Sequence, residues 1–123
     1  MKIIKLKKNF KDKRGYISDI FYKKNIKHVS FISSNKGSIR GNNYFKKNYQ
    51  YILNLGGSFE YWYKKKIEKK LKKILIKKYQ IIETPPYEVH AIKFLEKNEL
   101  IEFSTLSLMQ KVKSKDSVKF KII

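Results

Sequence analysis

The chain has 123 residues, of which 41% are hydrophobic and 15% aromatic, a composition that excludes disorder and fits one domain with one modest core. It has no cysteine, which excludes disulfides and thiolate metal sites. No apolar run is long enough to span a membrane, and the basic start lacks the apolar stretch of a secretory signal, so we expect a cytoplasmic protein.

The formal net charge of +20 invites a polyanion as partner. Nearly all of this charge is lysine, however, and the two arginines are Arg14 and Arg40. Nucleic-acid sites usually use arginine for bidentate phosphate and guanine contacts. The chain is also rich in Ile, Asn, Tyr and Phe, which like lysine have A/T-rich codons, so genome composition explains much of the lysine. A dedicated nucleic-acid surface is therefore the less favoured interpretation.

Turn sequences at residues 11–15, 33–37, 55–58 and 83–86 separate short segments rich in β-branched and aromatic residues. The predicted strands are Tyr16–Tyr22, Val29–Ser33, Tyr49–Leu55, Phe59–Tyr63, Ile74–Tyr79, Ile101–Thr105 and Val118–Ile122, with a further N-terminal strand in Ile3–Phe10. Short strands at this spacing predict an all-β sandwich or barrel.

One segment, Lys64–Tyr79, is ambiguous. Ile67, Leu71, Ile74 and Leu75 have helical spacing on a lysine-coated background, which indicates a basic amphipathic helix. The alternative is a charged turn followed by a strand from Ile74. We favour this hairpin because the run at residues 74–76 and the continuation at 81–82 are typical of strands.

Four stretches carry a more specific signal. They are Phe10–Ile20, Lys36–Lys47, Gln50–Trp62 and Ile82–Ile92. The second contains Arg-Gly-Asn-Asn-Tyr-Phe-Lys-Lys, and the fourth contains Thr-Pro-Pro-x-x-x-His. In this order they resemble the motifs of cupins, and more narrowly those of dTDP-4-dehydrorhamnose 3,5-epimerases, dTDP-sugar 3,4-ketoisomerases and capsule-synthesis cupins.

The resemblance implies an all-β, single-domain jelly roll over residues 1–123, the cupin double-stranded β-helix, with a pocket inside the barrel. It also implies a homodimer, for which the strands in Ile3–Phe10 and Val118–Ile122 are candidate edges. The residues that it places at the pocket are Arg40, Asn43, Phe45, Gln50 and His90, with the aromatic side chains of Tyr61, Trp62 and Tyr63 nearby.

The spacing from Gly37 to Gly57 is that of the metal-binding cupin motif, but the metal ligands are replaced. Asn43 and Phe45 stand where the motif has histidines, and Gln50 stands where it has glutamate. We therefore expect no metal and no other cofactor. The position of the general-base histidine of the 3,5-epimerases is also Asn43, which cannot serve as a base near neutral pH.

Two charged or titratable residues keep their place in the resemblance. Arg40 is suited to a bidentate phosphate contact, or else forms a structural ion pair. His90 is the candidate catalytic acid or base, paired with a tyrosine, or else is a buried remnant of an ancestral site.

The resemblance thus predicts a cupin of cell-surface polysaccharide or deoxysugar synthesis that binds a nucleoside-diphosphate sugar. As an enzyme it would be a metal-free epimerase or ketoisomerase. The alternatives are a non-catalytic sugar-binding or partner-subunit cupin and a basic nucleic-acid-associated protein.

Overall fold

The computed structural model describes residues 1–107 and 113–123. Twelve strands and one short helix are described there. They are β1 (Lys2–Lys5), β2 (Phe10–Asp12), β3 (Gly15–Ile17), β4 (His28–Ser34), β5 (Ile39–Phe45), β6 (Gln50–Gly56), β7 (Phe59–Lys65), β8 (Lys72–Ile76), β9 (Gln80–Thr84), β10 (Glu88–Phe94), β11 (Asn98–Ser104), α1 (Lys113–Asp116) and β12 (Ser117–Lys119).

Ten of these strands form two five-stranded antiparallel sheets. The first sheet has the order β1-β9-β6-β11-β4, and the second has the order β12-β5-β10-β7-β8. β2 and β3 form a separate two-stranded hairpin. From β4 onward the chain passes to the other sheet at every connection except that between β7 and β8. It therefore winds around the barrel as a jelly roll, which confirms the all-β prediction.

The core lies between the two sheets. Side chains that alternate along the strands meet there, and Phe59, Tyr61, Ile76, Ile82 and Phe94 are fully buried. A second apolar cluster lies around Tyr51, Leu53 and Ile81 of the first sheet, and the chain before β4 covers it. Tyr51 and Leu53 alternate along β6 with the core residue Ile52, so this second cluster lies on the opposite face of the first sheet.

The ambiguous segment is a hairpin. β7 and β8 pair antiparallel, with Tyr61 opposite Ile74 and Phe59 opposite Ile76. Ile76 is fully buried, whereas Ile67 in the turn is 91% exposed. The helical spacing was misleading because the lysines around Ile67 form the turn and only the residues after Leu71 alternate in burial.

The remaining strand predictions differ from the structure mainly at their ends. The strand predicted over Tyr16–Tyr22 stops at Ile17, and Phe21 instead packs edge-on against Tyr51 and Phe103. β1 and β12 lie at sheet edges, as expected for the two terminal strands. Among the described residues, none of the helical structure is long and apolar enough to cross a membrane.

Candidate functional site

A cavity of about 370 Å³ opens between the two sheets. One wall is formed by β5, β10 and β12 of the second sheet, and the other by β4, β6 and β11 of the first. The lining residues are Ile32, Ile39, Arg40, Gly41, Asn43, Phe45, Gln50, Ile52, His90, Ile92, Phe94, Leu100, Glu102, Ser117 and Lys119. All five residues that the sequence placed at the barrel pocket are in this lining.

A β-bulge brings Arg40 to the cavity. β5 pairs with β10 through Asn43 opposite His90, but Gly41 is opposite the next residue, Ala91, so Asn42 has no partner in the ladder. This shift puts Arg40 opposite Ile92 on the cavity side, as bulges commonly redirect side chains. Gly41 is required here, because its φ is +89° and a Cβ would lie 2.9 Å from the carbonyl oxygen of His90.

Arg40 is held by two hydrogen bonds to β4, the strand that precedes β5 in the sequence. Its Nε donates to Ser34 Oγ at 2.8 Å, and its Nη2 donates to the carbonyl oxygen of Ser33 at 3.1 Å. It makes no ion pair with any described residue, so the structural ion pair considered from the sequence is not observed. Since guanidinium carries five N–H donors, an oriented Arg40 at the cavity mouth keeps donors for an anionic ligand.

His90 lies in the wall of the cavity between aromatic rings. Its ring stacks on Tyr61 with a centroid distance of 5.9 Å and contacts Phe45 at the same distance. Its Nδ1 lies 3.2 Å from the carbonyl oxygen of Glu88. A carbonyl only accepts hydrogen bonds, so Nδ1 is the donor in this pair, and any acid or base role falls to Nε2.

No protein-family model and no curated protein matches the chain. Solved structures do match. A 3,4-ketoisomerase from Helicobacter canadensis has a TM-score of 0.77 at 16% identity, covering 96% of this chain and 89% of that chain. The second match is a histidine-to-asparagine variant of the 3,4-ketoisomerase QdtA from Thermoanaerobacterium thermosaccharolyticum, in complex with TDP-4-keto-6-deoxyglucose. Its TM-score is 0.75 at 23% identity, and the match covers 96% of this chain and 86% of that chain. The dTDP-4-dehydrorhamnose 3,5-epimerase from Sulfolobus tokodaii has a TM-score of 0.69 at 21% identity, and the match covers 88% of this chain and 70% of that chain.

The chain has the cupin fold. The expected double-stranded β-helix is thereby confirmed. At these identities the matches establish the architecture, and the chemistry of this protein depends on its own residues.

The described lining of the cavity has no donor set for a metal. Asn43 donates through Nδ2 to Ser117 Oγ at 2.6 Å, Phe45 offers no donor atom, and Gln50 is a neutral amide. The described residues contain no group of three or more His, Cys, Asp and Glu side chains that could hold a metal ion. A cupin metal needs three or four convergent N or O ligands, so the residues present do not fit one.

Tyr61 and Tyr63, which the resemblance placed near the pocket, are not in the lining of the cavity. The Tyr61 hydroxyl hydrogen-bonds Thr84 Oγ1 at 2.5 Å and donates to Glu88 Oε2 at 3.0 Å, and the Tyr63 ring lies 5.5 Å from that of Tyr61. Burial, with a contribution from the Glu88 carboxylate, raises the pKa of Tyr61 well above its ordinary value. The structure therefore places Tyr61 beside His90, with its hydroxyl engaged elsewhere.

Glu88 closes this network. It also pairs with the ammonium group of Met1, and both groups are almost fully buried. Burial is the largest influence on the pKa of Glu88 and raises it, although the ammonium group opposes the shift.

Three polar residues of the cavity were not found from the sequence. Ser117 and Lys119 come from β12, which pairs with the cavity strand β5 at Phe45 and Asn43. Glu102 comes from β11 and is 5% exposed. A signal for Glu102 was present, since it shares a strand face with Leu100, two residues earlier, which is buried.

Proposed function

We propose that this cupin binds a nucleoside-diphosphate sugar in the cavity between its sheets, in cell-surface polysaccharide or deoxysugar synthesis. The observation that carries the proposal is the arrangement of the cavity. Its volume of about 370 Å³ is within the usual range of ligand pockets, the cationic Arg40 and Lys119 are exposed at its mouth, and the polar side chains of Gln50, His90 and Glu102 are buried in its walls. Phosphates suit the mouth, and a hydroxyl-rich sugar suits the walls.

The solved neighbours support this ligand class. One of them is a histidine-to-asparagine variant of a 3,4-ketoisomerase that holds TDP-4-keto-6-deoxyglucose. The resemblance seen in the sequence puts Asn43 at a position where those enzymes carry a histidine. That neighbour holds a sugar nucleotide with one of its histidines replaced by asparagine, so the loss of a histidine does not by itself argue against this ligand class.

Isomerase chemistry is the second candidate function, and His90 is the observation that favours it. Its ring lines the cavity, and the hydrogen bond from Nδ1 to a backbone carbonyl fixes the tautomer of the imidazole. The replacement of histidines by Asn43 and Phe45 instead favours a non-catalytic sugar-binding or partner-subunit cupin. Exchange of the ring protons of the bound sugar nucleotide with D₂O measures turnover. Exchange is expected of an isomerase and not of a non-catalytic sugar-binding protein.

The proposed binding is tested by thermal unfolding with dTDP-, UDP- and GDP-sugars at physiological salt. A ligand that binds only the folded state raises the melting temperature, by the equivalent of about 2.7 kcal/mol at a hundredfold excess over Kd. Arg40→Ala should abolish the shift. Arg14→Ala is the matched control, because Arg14 is exposed and pairs with Asp12 in the β2–β3 hairpin.

The same experiment includes duplex DNA, which tests the alternative based on charge. A shift with DNA and none with any sugar nucleotide would overturn the proposal. The single-domain and homodimer predictions stay predictions, and sedimentation of the protein at several concentrations tests the second.

A further inference from the structure

Glu102 is the carboxylate in the lining of the cavity. It lies on β11 between Ser30 of β4 and Ile52 of β6, its directly opposite neighbours in the two ladders. It is 5% exposed, and it makes no ion pair and no side-chain hydrogen bond with the part of the chain that the structure describes. Its carboxylate oxygens are not fully enclosed by the protein, so they can be reached from the cavity by a ligand or water that donates hydrogen bonds.

Gln50 lies diagonally across from Glu102 on the same face of the first sheet. It is opposite Ser104 in the ladder between β6 and β11, two residues from Glu102, a relation in which side chains are roughly 7–8 Å apart and long ones can converge. Gln50 is 6% exposed, and its Oε1 is buried without a hydrogen-bond partner among the described residues. Two polar side chains without a hydrogen-bond partner among the described residues thus line the same cavity from one wall.

The positively charged residues lie in another part of the cavity. Arg40 and Lys119 are both exposed, and both belong to the second sheet. The two kinds of polar group are therefore separated in the cavity. Cationic donors lie at the mouth, and buried acceptors lie on the inner face of the first sheet. A ligand that matches it has an anionic end and, at the other end, a group rich in hydroxyl donors.

We propose that Glu102 and Gln50 form the subsite that selects the sugar, by accepting hydrogen bonds from a pair of neighbouring free hydroxyl groups. This inference rests on the proposed function, and it narrows the substrate class to nucleotide sugars that keep a vicinal diol. A carboxylate has two oxygens and can accept from both hydroxyls of a diol, and charge-assisted bonds of this kind are stronger than neutral ones.

A structural role for Glu102 is the competing explanation, and its expected signs are missing. Structural buried carboxylates in this protein have partners. Glu88 pairs with Met1 and Tyr61, and Asp116 accepts from the backbone amides of Lys47 and Asn48. Glu102 has no such partner among the described residues, so removing its charge should not weaken the fold.

The test compares dTDP-glucose with dTDP, and UDP-glucose with UDP, by isothermal titration calorimetry. Glu102→Gln keeps the size of the side chain and removes the charge. Glu99→Gln is the matched control, because Glu99 lies on the same strand, faces the other side and is exposed. Melting temperatures of both variants establish that they fold.

We expect Glu102→Gln to weaken binding of the sugar nucleotide by about tenfold or more, as for loss of a charged hydrogen bond, and to leave binding of the bare nucleotide within about twofold. Glu99→Gln should change neither. Arg40→Ala should weaken both ligands together, because it acts on the phosphates.

The inference is overturned if the unaltered protein binds a sugar nucleotide and Glu102→Gln binds it equally well, or loses the bare nucleotide to the same extent. If the unaltered protein binds neither the nucleotides nor the sugar nucleotides, the proposed function itself is wrong, and this result is distinct from the first. A melting temperature of Glu102→Gln that is well below that of Glu99→Gln would also overturn it, in favour of a structural role.

Discussion

Asp116 ties the chain before β12 to the loop between β5 and β6, and it allows a quantitative prediction. Its Oδ1 accepts from the amide of Lys47 and its Oδ2 from the amide of Asn48, each at 3.0 Å. Asn48 is fully buried, and Asp116 is 9% exposed. β12 supplies Ser117 and Lys119 to the cavity, so this carboxylate holds part of a cavity wall in place.

Replacing Asp116 by alanine removes the acceptor of both amides. Lys47 is exposed, so water can replace its lost bond, but the buried amide of Asn48 then bears its full desolvation penalty of about 1–3 kcal/mol. With the lost charge-assisted bond to Lys47, we expect the free energy of unfolding to fall by about 2–4 kcal/mol. Asp116→Asn retains one acceptor oxygen, so its free energy of unfolding should fall by roughly half as much.

The assay is equilibrium unfolding in urea, with the slope m compared between variants so that a change in stability is distinguished from a change in the denatured state. Asp19→Ala is the control, because Asp19 is exposed and should change stability by less than about 0.5 kcal/mol. A loss for Asp116→Ala as small as that of the control would refute the reasoning, since the two amides would then be satisfied by other means.

Two further predictions concern backbone strain and pH. Gly57→Ala should lower the melting temperature by the equivalent of more than about 2 kcal/mol, because φ is +81° and a Cβ would lie 2.2 Å from the carbonyl oxygen of Lys97, whereas Gly56→Ala has open space and should be nearly neutral. Equal effects would contradict this. Burial raises the pKa of Glu88 above 4.5, so the folded protein binds more protons than the unfolded chain just above that pH, and stability should fall as pH rises through the pKa of folded Glu88. Urea unfolding of Glu88→Gln across this range should show a smaller decline, and an unchanged decline would count against this cause.

The strands were predictable because their signal is local. Residues 74–76 alternate between exposed and buried positions, and a run of β-branched and aromatic residues suffices to indicate such a strand. The strand predicted over Tyr16–Tyr22 was too long for a non-local reason. Phe21 has a β-like composition around it, but it packs on Tyr51 and Phe103, which are distant in sequence.

The cavity was only partly predictable, because its lining depends on pairing between distant strands. The resemblance to cupin motifs named Arg40 and His90, yet the bulge at Asn42 that turns Arg40 inward is stabilised from far away. Asn42 Oδ1 accepts from the amides of Ile122 and Ile123 at 2.9 and 3.2 Å. Glu102 was missed because a charged residue in a strand is usually solvated, and the burial of this one follows from neighbours on two other strands.

The net charge of this protein attracts an anionic ligand, whereas the negative charge inside its cavity repels one. Most of the lysines are exposed, and at physiological salt a charge acts over only about 8 Å, so distant lysines attract an anion without orienting it. Within the cavity the buried Glu102 would repel a phosphate, since like charges about 4 Å apart cost on the order of 4 kcal/mol at an effective dielectric constant of about 20. In the proposed complex, the diphosphate would therefore lie at Arg40 and Lys119 at the mouth. The neutral sugar would then enter the cavity, where the same carboxylate that repels the phosphate would accept its hydrogen bonds.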